Sequence, residues 1–270
     1  MLLFVTIAFA DPVVSESRAV ELIASGARVL DTRGWLAYTV QGHIPGAVQA
    51  DWRGAVKGGL RSGTLGDPNA VAAFYANLGV DSERPVLVVG EWEAGWGEEG
   101  RVAWDLMYLG HESVYVLRGG MQRWEAARTM VPDVSPMGRF TAQPFVQYRV
   151  DRAHVITADQ VQPILLDVRE ADEFAGAKKY GEARGGHIPG ATNRPWRSFL
   201  GVESGTISAP ISPDTEVPVV VYCTGGVRSA MVAMVLLDQG FADVRNYDGG
   251  WWDWAANVPA PPPKASSPGE

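Results

Sequence analysis

Cys223 is the only cysteine in a chain of 270 residues. It follows the apolar run Val-Pro-Val-Val-Val-Tyr at 217–222 and opens the turn Cys-Thr-Gly-Gly-Val-Arg-Ser at 223–229. An apolar run without polar alternation reads as a strand buried on both faces, and open α/β sheets bind ligands beyond the carboxyl ends of their strands. Gly225 and Gly226 let successive N–H groups turn inward as a nest. Apolar residues then recur at helical spacing, at Ala230, Met231, Met234, Val235 and Leu237. The start of that helix adds unpaired N–H donors and the positive end of its dipole. Arg228 adds a full positive charge. All of these favour a negative sulfur. An ordinary thiol titrates at about 8.5, and a depression of about two units, roughly 1.4 kcal/mol each, makes the thiolate dominant at pH 7. Cys223 is therefore expected to be a nucleophile rather than a small buried hydrophobe. Thr224, Gly225, Gly226, Val227 and Arg228 are expected to form its substrate-binding cradle.

Two chemistries use a cysteine held this way: phosphoryl transfer through a phosphocysteine and sulfur transfer through a persulfide. Tyrosine-phosphatase-like loops read Cys-x5-Arg, sized for a tetrahedral phosphate. Here Arg228 closes a Cys-x4-Arg loop. The shorter ring of N–H groups suits a terminal sulfur better than a phosphate, and the phosphatase-like reading is the weaker one.

The elements that must hold this turn occur twice. Residues 29–47 and 165–191 each carry an apolar run, Asp-x-Arg, and then Gly-His-Ile-Pro-Gly-Ala. Arg-Pro-Val-Leu-Val-Val-Gly at 84–90 matches 217–223, and the stretch 109–124 matches 239–254, each with a Gly-Gly pair and a closing tryptophan. Four blocks in the same order identify a tandem duplication. Within each copy short apolar runs alternate with helical patterns. Asp67 is placed as an N-cap, Pro68 at the first helical position and Gly79 past the end. Residues 85–89 and the run Val-Tyr-Val-Leu at 114–117 read as strands, with a helix between them ending near Gly110. In the second copy a helix is expected from about Ser229 to Gln239. Strands separated by helices imply an α/β fold in which each copy is a parallel sheet flanked by helices on both sides.

Composition bounds the partners. The net charge of −8 repels phosphate backbones and anionic lipid, so binding to nucleic acid or a membrane surface is not expected. The apolar run at 1–12 is too short to span a bilayer as a helix, so no stable membrane insertion is expected. One cysteine and four histidines without close ligand spacing supply neither a disulfide nor a metal site.

With its duplicated Asp-x-Arg and Gly-His-Ile-Pro-Gly-Ala blocks, its Val-Val-Val-Tyr-Cys-Thr-Gly-Gly-Val-Arg-Ser-Ala and its closing Asn-Tyr-Asp-Gly-Gly-Trp-Trp-Asp-Trp, the chain resembles the tandem-domain rhodanese family over about residues 13–258. The resemblance implies a sulfurtransferase of the thiosulfate or 3-mercaptopyruvate kind. A small anionic donor would load a persulfide on Cys223, and a thiophilic acceptor such as cyanide, a thiol or a protein thiol would unload it. No metal or organic cofactor is implied. A non-catalytic sulfur-relay module is the alternative. Arg184 lies where related enzymes place a substrate-facing arginine. Arg228 either meets substrate or locks the loop against a nearby carboxylate. Asp31, Arg33, Asp167, Arg169, His43 and His187 are duplicated and read as scaffold. Trp124, Trp251, Trp252 and Trp254 read as packing residues, one of which could wall the pocket. The loop is neither the doubly basic thiosulfate-preferring type nor the small Gly/Ser-rich mercaptopyruvate-preferring type, so donor choice stays open.

The first copy has Gly90 where the second has Cys223. It is expected to be inactive, with its acidic loop at 90–101 packing over or bordering the other copy's site. Gly95-x-Gly97-x-x-Gly100 imitates a dinucleotide fingerprint, but four nearby glutamates would repel a pyrophosphate. The expected domains are 13–130 and 151–258, with a proline-containing linker at 131–150 and a Pro/Ser-rich disordered tail at 259–270. Residues 1–12 read either as a ragged start or as the remnant of a leader ending in Ala8-Phe9-Ala10, with export to the periplasm favoured over the cytoplasm.

Overall fold

The computed structural model describes residues 11–59, 61–133, 137–155, 163–201 and 211–259. The leader and tail expectations fall outside these ranges, apart from Asp11, Pro12 and Pro259.

The first copy runs β1 (Val13–Val14), α1 (Glu16–Ala24), β2 (Arg28–Asp31), α2 (Trp35–Val40), β3 (Val48–Gln49), α3 (Pro68–Asn77), β4 (Val86–Val89), α4 (Glu98–Tyr108) and β5 (Val114–Leu117). The second runs β6 (Ile164–Asp167), α5 (Ala171–Ala175), β7 (Thr192–Asn193), β8 (Val219–Tyr222), α6 (Val227–Asp238), β9 (Val244–Tyr247) and α7 (Gly250–Asn257). All strand pairs are parallel, in the orders β1-β5-β4-β2-β3 and β7-β6-β8-β9. Dropping β1 from the first sheet leaves the same order in both copies, as the repeat requires.

Each strand feeds two cores because its side chains alternate between faces. In the first sheet Val29, Leu87 and Val89 meet Ala19 and Leu22 of α1, whereas Leu30, Val86 and Val88 face the other way. In the second, Val220 and Tyr222 meet Trp251 and Trp254 of α7. The remaining faces merge into one apolar cluster shared by the two copies, holding Val102, Trp104 and Met107 of α4 with Met231, Val232 and Val235 of α6. The two helices touch closely, since a Cβ on Gly100 would lie 2.3 Å from Met231 Cα. The glycines that imitate a phosphate-binding fingerprint are thus used for helix-on-helix packing.

Local signals hold where the chain makes its own contacts. Asp67 accepts the Asn69 and Ala70 N–H groups at 3.0 and 3.1 Å, Pro68 opens α3, and Gly79 lies beyond its end with φ 81°. The duplicated Asp-x-Arg pairs are buried ion pairs, Arg33 to Asp31 at 2.7 Å and Arg169 to Asp167 at 2.6 Å. Each arginine also donates at 2.8 Å to the glycine carbonyl that begins its Gly-His-Ile-Pro-Gly block, Gly42 or Gly186. His43 and His187 stack on Tyr38 and Phe174, both at 3.8 Å. These groups brace strand ends. In contrast, α6 begins two residues earlier than its apolar spacing predicts, because Gly226 adopts φ 76° and caps it.

Candidate active site

The sheet places Cys223 immediately after Tyr222, the last residue of β8. The carbonyls of Cys223 and Thr224 accept the N–H groups of Trp251 and Trp252 at the start of α7, at 2.8 and 2.9 Å. The loop is thereby pinned from behind. Asn246 on β9 holds it from the side, with Nδ2 donating to the Gly226 carbonyl at 3.2 Å. Asn246 Oδ1 accepts the Ser229 hydroxyl at 2.7 Å, and the same hydroxyl lies 3.5 Å from Cys223 Sγ. Its single proton can serve either acceptor and turns to the sulfur when that sulfur is charged.

The sulfur's titration reflects a contest. Burial raises the thiol, but the Arg228 charge, the Ser229 hydroxyl and N–H, and the Gly225 N–H outweigh it and hold the thiol below its ordinary value. Cys223 is 1% exposed, yet it lines a cavity of about 220 Å³. The thiol is buried against a space, not sealed in packing.

Arg228 locks the loop. Its guanidinium donates to both oxygens of Glu173 on α5 at 2.7 and 2.9 Å and to Thr224 Oγ1 at 2.6 Å, while the Thr224 hydroxyl donates to Glu173 Oε1 at 2.9 Å. All three side chains are buried. Burial would raise Glu173, but the bidentate arginine keeps it below the usual carboxylate range. Arg228 also lines the cavity, so it contributes field there while its geometry is committed to Glu173.

Arg184 is not brought to this cavity. Its guanidinium donates to the carbonyls of Ala255 and Val258 at 3.3 and 2.6 Å and stacks on Trp251 at 5.1 Å. The unpaired carbonyls at the end of α7 attract a cation, and the expectation of a substrate-facing Arg184 is corrected accordingly. Gly226 shapes the loop as helix cap without lining the cavity, whereas Thr224, Gly225 and Val227 do line it.

The rest of the wall comes from both copies. Tyr180 and Trp252 belong to the second, and Trp52, Arg53, Trp96 and Glu98 to the first. Trp96 meets Tyr180 edge-on at 5.7 Å, and Glu98 accepts the Trp96 N–H at 2.8 Å. The acidic loop of the first copy therefore borders the second copy's site as expected, and Trp252 is the closing tryptophan that walls it. Sequence reasoning missed Glu173, Ser229, Asn246, Tyr180, Trp52 and Arg53. Only the last two left a trace: Trp-Arg follows the alanine of the Gly-His-Ile-Pro-Gly-Ala block by the same interval in both copies, at 52–53 and 196–197.

The corresponding place in the first copy is filled. A Cβ on Gly90 would lie 2.4 Å from Glu99 Oε2 and 2.8 Å from Thr32 Oγ1. Glu99 Oε1 accepts the Trp92 N–H at 2.7 Å, and burial pushes its carboxyl up to about 8. Among the described residues no group of His, Cys, Asp and Glu could hold a metal, and no helix is long and apolar enough to cross a membrane.

Residues 15–127 and 153–257 each match the rhodanese-like domain. A thiosulfate sulfurtransferase of Corynebacterium glutamicum is 30% identical over 243 residues, covering 82% of this chain and 79% of its own. The sulfur carrier protein TtuD of Thermus thermophilus is 29% identical over 260 residues, covering 87% and 90%. Among solved structures, SseA from Escherichia coli superposes with a TM-score of 0.73 at 24% identity over 90% of this chain and 99% of its own. Tum1 from Saccharomyces cerevisiae gives 0.78 at 20% identity over 93% and 96%. At those identities the structural likeness speaks for the fold.

Proposed function

The chain belongs to the rhodanese-like domain family, and on that premise we propose that Cys223 carries the transferred sulfur as a persulfide. The protein is a sulfurtransferase that moves a sulfane sulfur from a donor such as thiosulfate to a thiophilic acceptor, with 3-mercaptopyruvate as the other donor its relatives suggest. In the first half-reaction the thiolate attacks the outer sulfur of thiosulfate. A bond forms between Cys223 Sγ and that sulfur, and the donor's S–S bond breaks with its electron pair leaving on sulfite. In the second, the acceptor attacks the outer persulfide sulfur and the Cys223 thiolate is released. This is nucleophilic catalysis with one covalent intermediate.

The observation that carries the assignment is a depressed thiol facing an open cavity with N–H donors aimed at it. Those donors serve the thiolate and, after loading, the negative outer sulfur. The phosphocysteine alternative is disfavoured by Arg228, whose guanidinium is spent on Glu173 and cannot fork onto a phosphate. The likeness to a sulfur carrier protein supports a protein thiol as one acceptor. Incubation with thiosulfate should add one sulfur atom to the mass of the protein, removable by cyanide. Absence of the adduct, or its persistence in Cys223→Ser, refutes the assignment. Multiple turnovers with thiosulfate and cyanide distinguish an enzyme from a carrier loaded once.

A further inference from the structure

Each copy turns a Trp-Arg pair toward the other's loop, and only one of the two arginines is hydrogen-bonded to that loop. Trp52-Arg53 opens the turn Trp52–Ala55 and Trp196-Arg197 opens the turn Trp196–Phe199, each directly after the matching edge strand, β3 or β7. In the second copy Arg197 reaches across to the silent loop, donating to the carbonyls of Glu93 and Gly95 at 3.0 and 3.3 Å and to Glu170 Oε1 at 3.3 Å. Arg53 reaches the other way, to the Cys223 cavity that it helps to line. There its guanidinium makes one 3.3 Å contact with Asp51 and lies over Trp52 at 4.9 Å, with its side chain 64% exposed. No hydrogen bond joins it to the loop 223–228 among the described residues. The other cation in the lining, Arg228, is matched by Glu173, and Arg184 is absent from the lining.

We propose that Arg53 of the silent copy is the residue that recognises the anionic group of the sulfur donor, holding sulfite's oxygens or a carboxylate while the outer sulfur meets Cys223. This rests on the persulfide role of Cys223. The guanidinium lies over Trp52 with one N–H group turned to Asp51, which leaves its Nε and Nη2 side to fork onto an oxyanion. The equivalent Arg197 grips two carbonyl oxygens, so the same position is already built for a pair of oxygen acceptors. The inactive domain thus supplies part of donor selectivity.

The test compares wild type, Arg53→Gln and Arg53→Lys with thiosulfate and with an uncharged donor, a dialkyl trisulfide. In Arg53→Gln the KM for thiosulfate should rise about tenfold, the loss of one charge-assisted hydrogen bond at a half-open site. Its kcat should stay within about twofold, as for binding shared by ground and transition states. KM for the trisulfide should not move, and Arg53→Lys should recover most of the loss. An unchanged thiosulfate KM, or an equal rise for both donors, overturns the proposal. A second readout needs no sulfur transfer. The ratio of Cys223 alkylation by iodoacetate to that by iodoacetamide should fall in Arg53→Gln while the iodoacetamide rate holds, and a constant ratio also overturns it. A wild type that takes up no sulfur but shows the fall in ratio would sink the persulfide assignment and leave Arg53 as an anion receptor.

Discussion

Replacing Glu99 by glutamine tests whether a carboxyl really fills the silent site. The wild-type group is fully buried, one oxygen accepts the Trp92 N–H at 2.7 Å, and its titration is pushed up from 4.5 to about 8 chiefly by burial, with the Glu98 and Glu91 charges adding to it. Below pH 4.5 the carboxyl is protonated in the folded and unfolded chains alike, so it does not affect the balance between them. Between the two values the unfolded chain has released a proton that the folded chain retains. Stability therefore falls as pH rises, by about 1.4 kcal/mol per unit. The loss reaches roughly 3 kcal/mol at pH 7 and levels off at roughly 5 kcal/mol above pH 8. Glu99→Gln keeps the shape and the oxygen that accepts from Trp92 but cannot ionise. Urea unfolding of both proteins at pH 5, 6, 7 and 8 gives the difference directly, since every other titrating group cancels. The variant should gain on wild type steadily across that range, with a relative Tm shift of roughly 10 °C from pH 5 to pH 8 for a chain of this size. Parallel pH profiles would refute a buried, proton-retaining carboxyl at this place.

Three further outcomes follow from the same geometry. Gly90→Cys should give no second persulfide on treatment with thiosulfate and should lower Tm, because its Cβ meets Glu99 Oε2 at 2.4 Å and the loop before α4 is longer than that before α6; intact mass shows the count. Arg228→Gln should move the midpoint of Cys223 alkylation to higher pH, slowing the reaction at pH 6–7 but not at high pH. It should also destabilise the fold by about 3–5 kcal/mol in urea unfolding, since the buried Glu173 loses its charged partner and keeps only the Thr224 hydroxyl. Gly63→Ala puts a Cβ 1.8 Å from the Gly225 carbonyl oxygen, so sulfur loading should slow severalfold although the residue lies in the silent copy; an unchanged loading rate in a rapid-quench mass measurement contradicts the contact.

The cysteine turn and the duplicated scaffold were legible from residues close together in the chain. A strand without polar alternation, two glycines, a helical repeat and an arginine at fixed offsets impose their geometry within a dozen residues, so Cys223, Thr224, Gly225, Val227 and Arg228 stand where the spacing puts them. The Asp-x-Arg pairs close over two residues and are equally local. The roles that went unread all join distant segments. Arg228 and Glu173 are 55 positions apart, and Leu65 N–H meets Asp248 across 183. Trp52, Arg53 and Trp96 reach the cavity only because α4 and α6 pack back to back. Arg184 shows the converse: its position suits a substrate contact, and the carbonyls at the end of α7 take it instead.

Sequence alone thus determined the architecture, one α/β unit used twice, and set its single thiol in a turn whose glycines and arginine favour a negative sulfur. Only the tertiary structure decided which copy's side chains enclose that thiol, which carboxylate matches its arginine, and that Glu99 fills the corresponding place in the other copy. Turn and helix geometry are set by neighbours along the chain, where offsets are fixed by covalent bonds. Contacts between the copies are set by how two apolar faces settle on each other, and that leaves no periodic mark in either strand or helix.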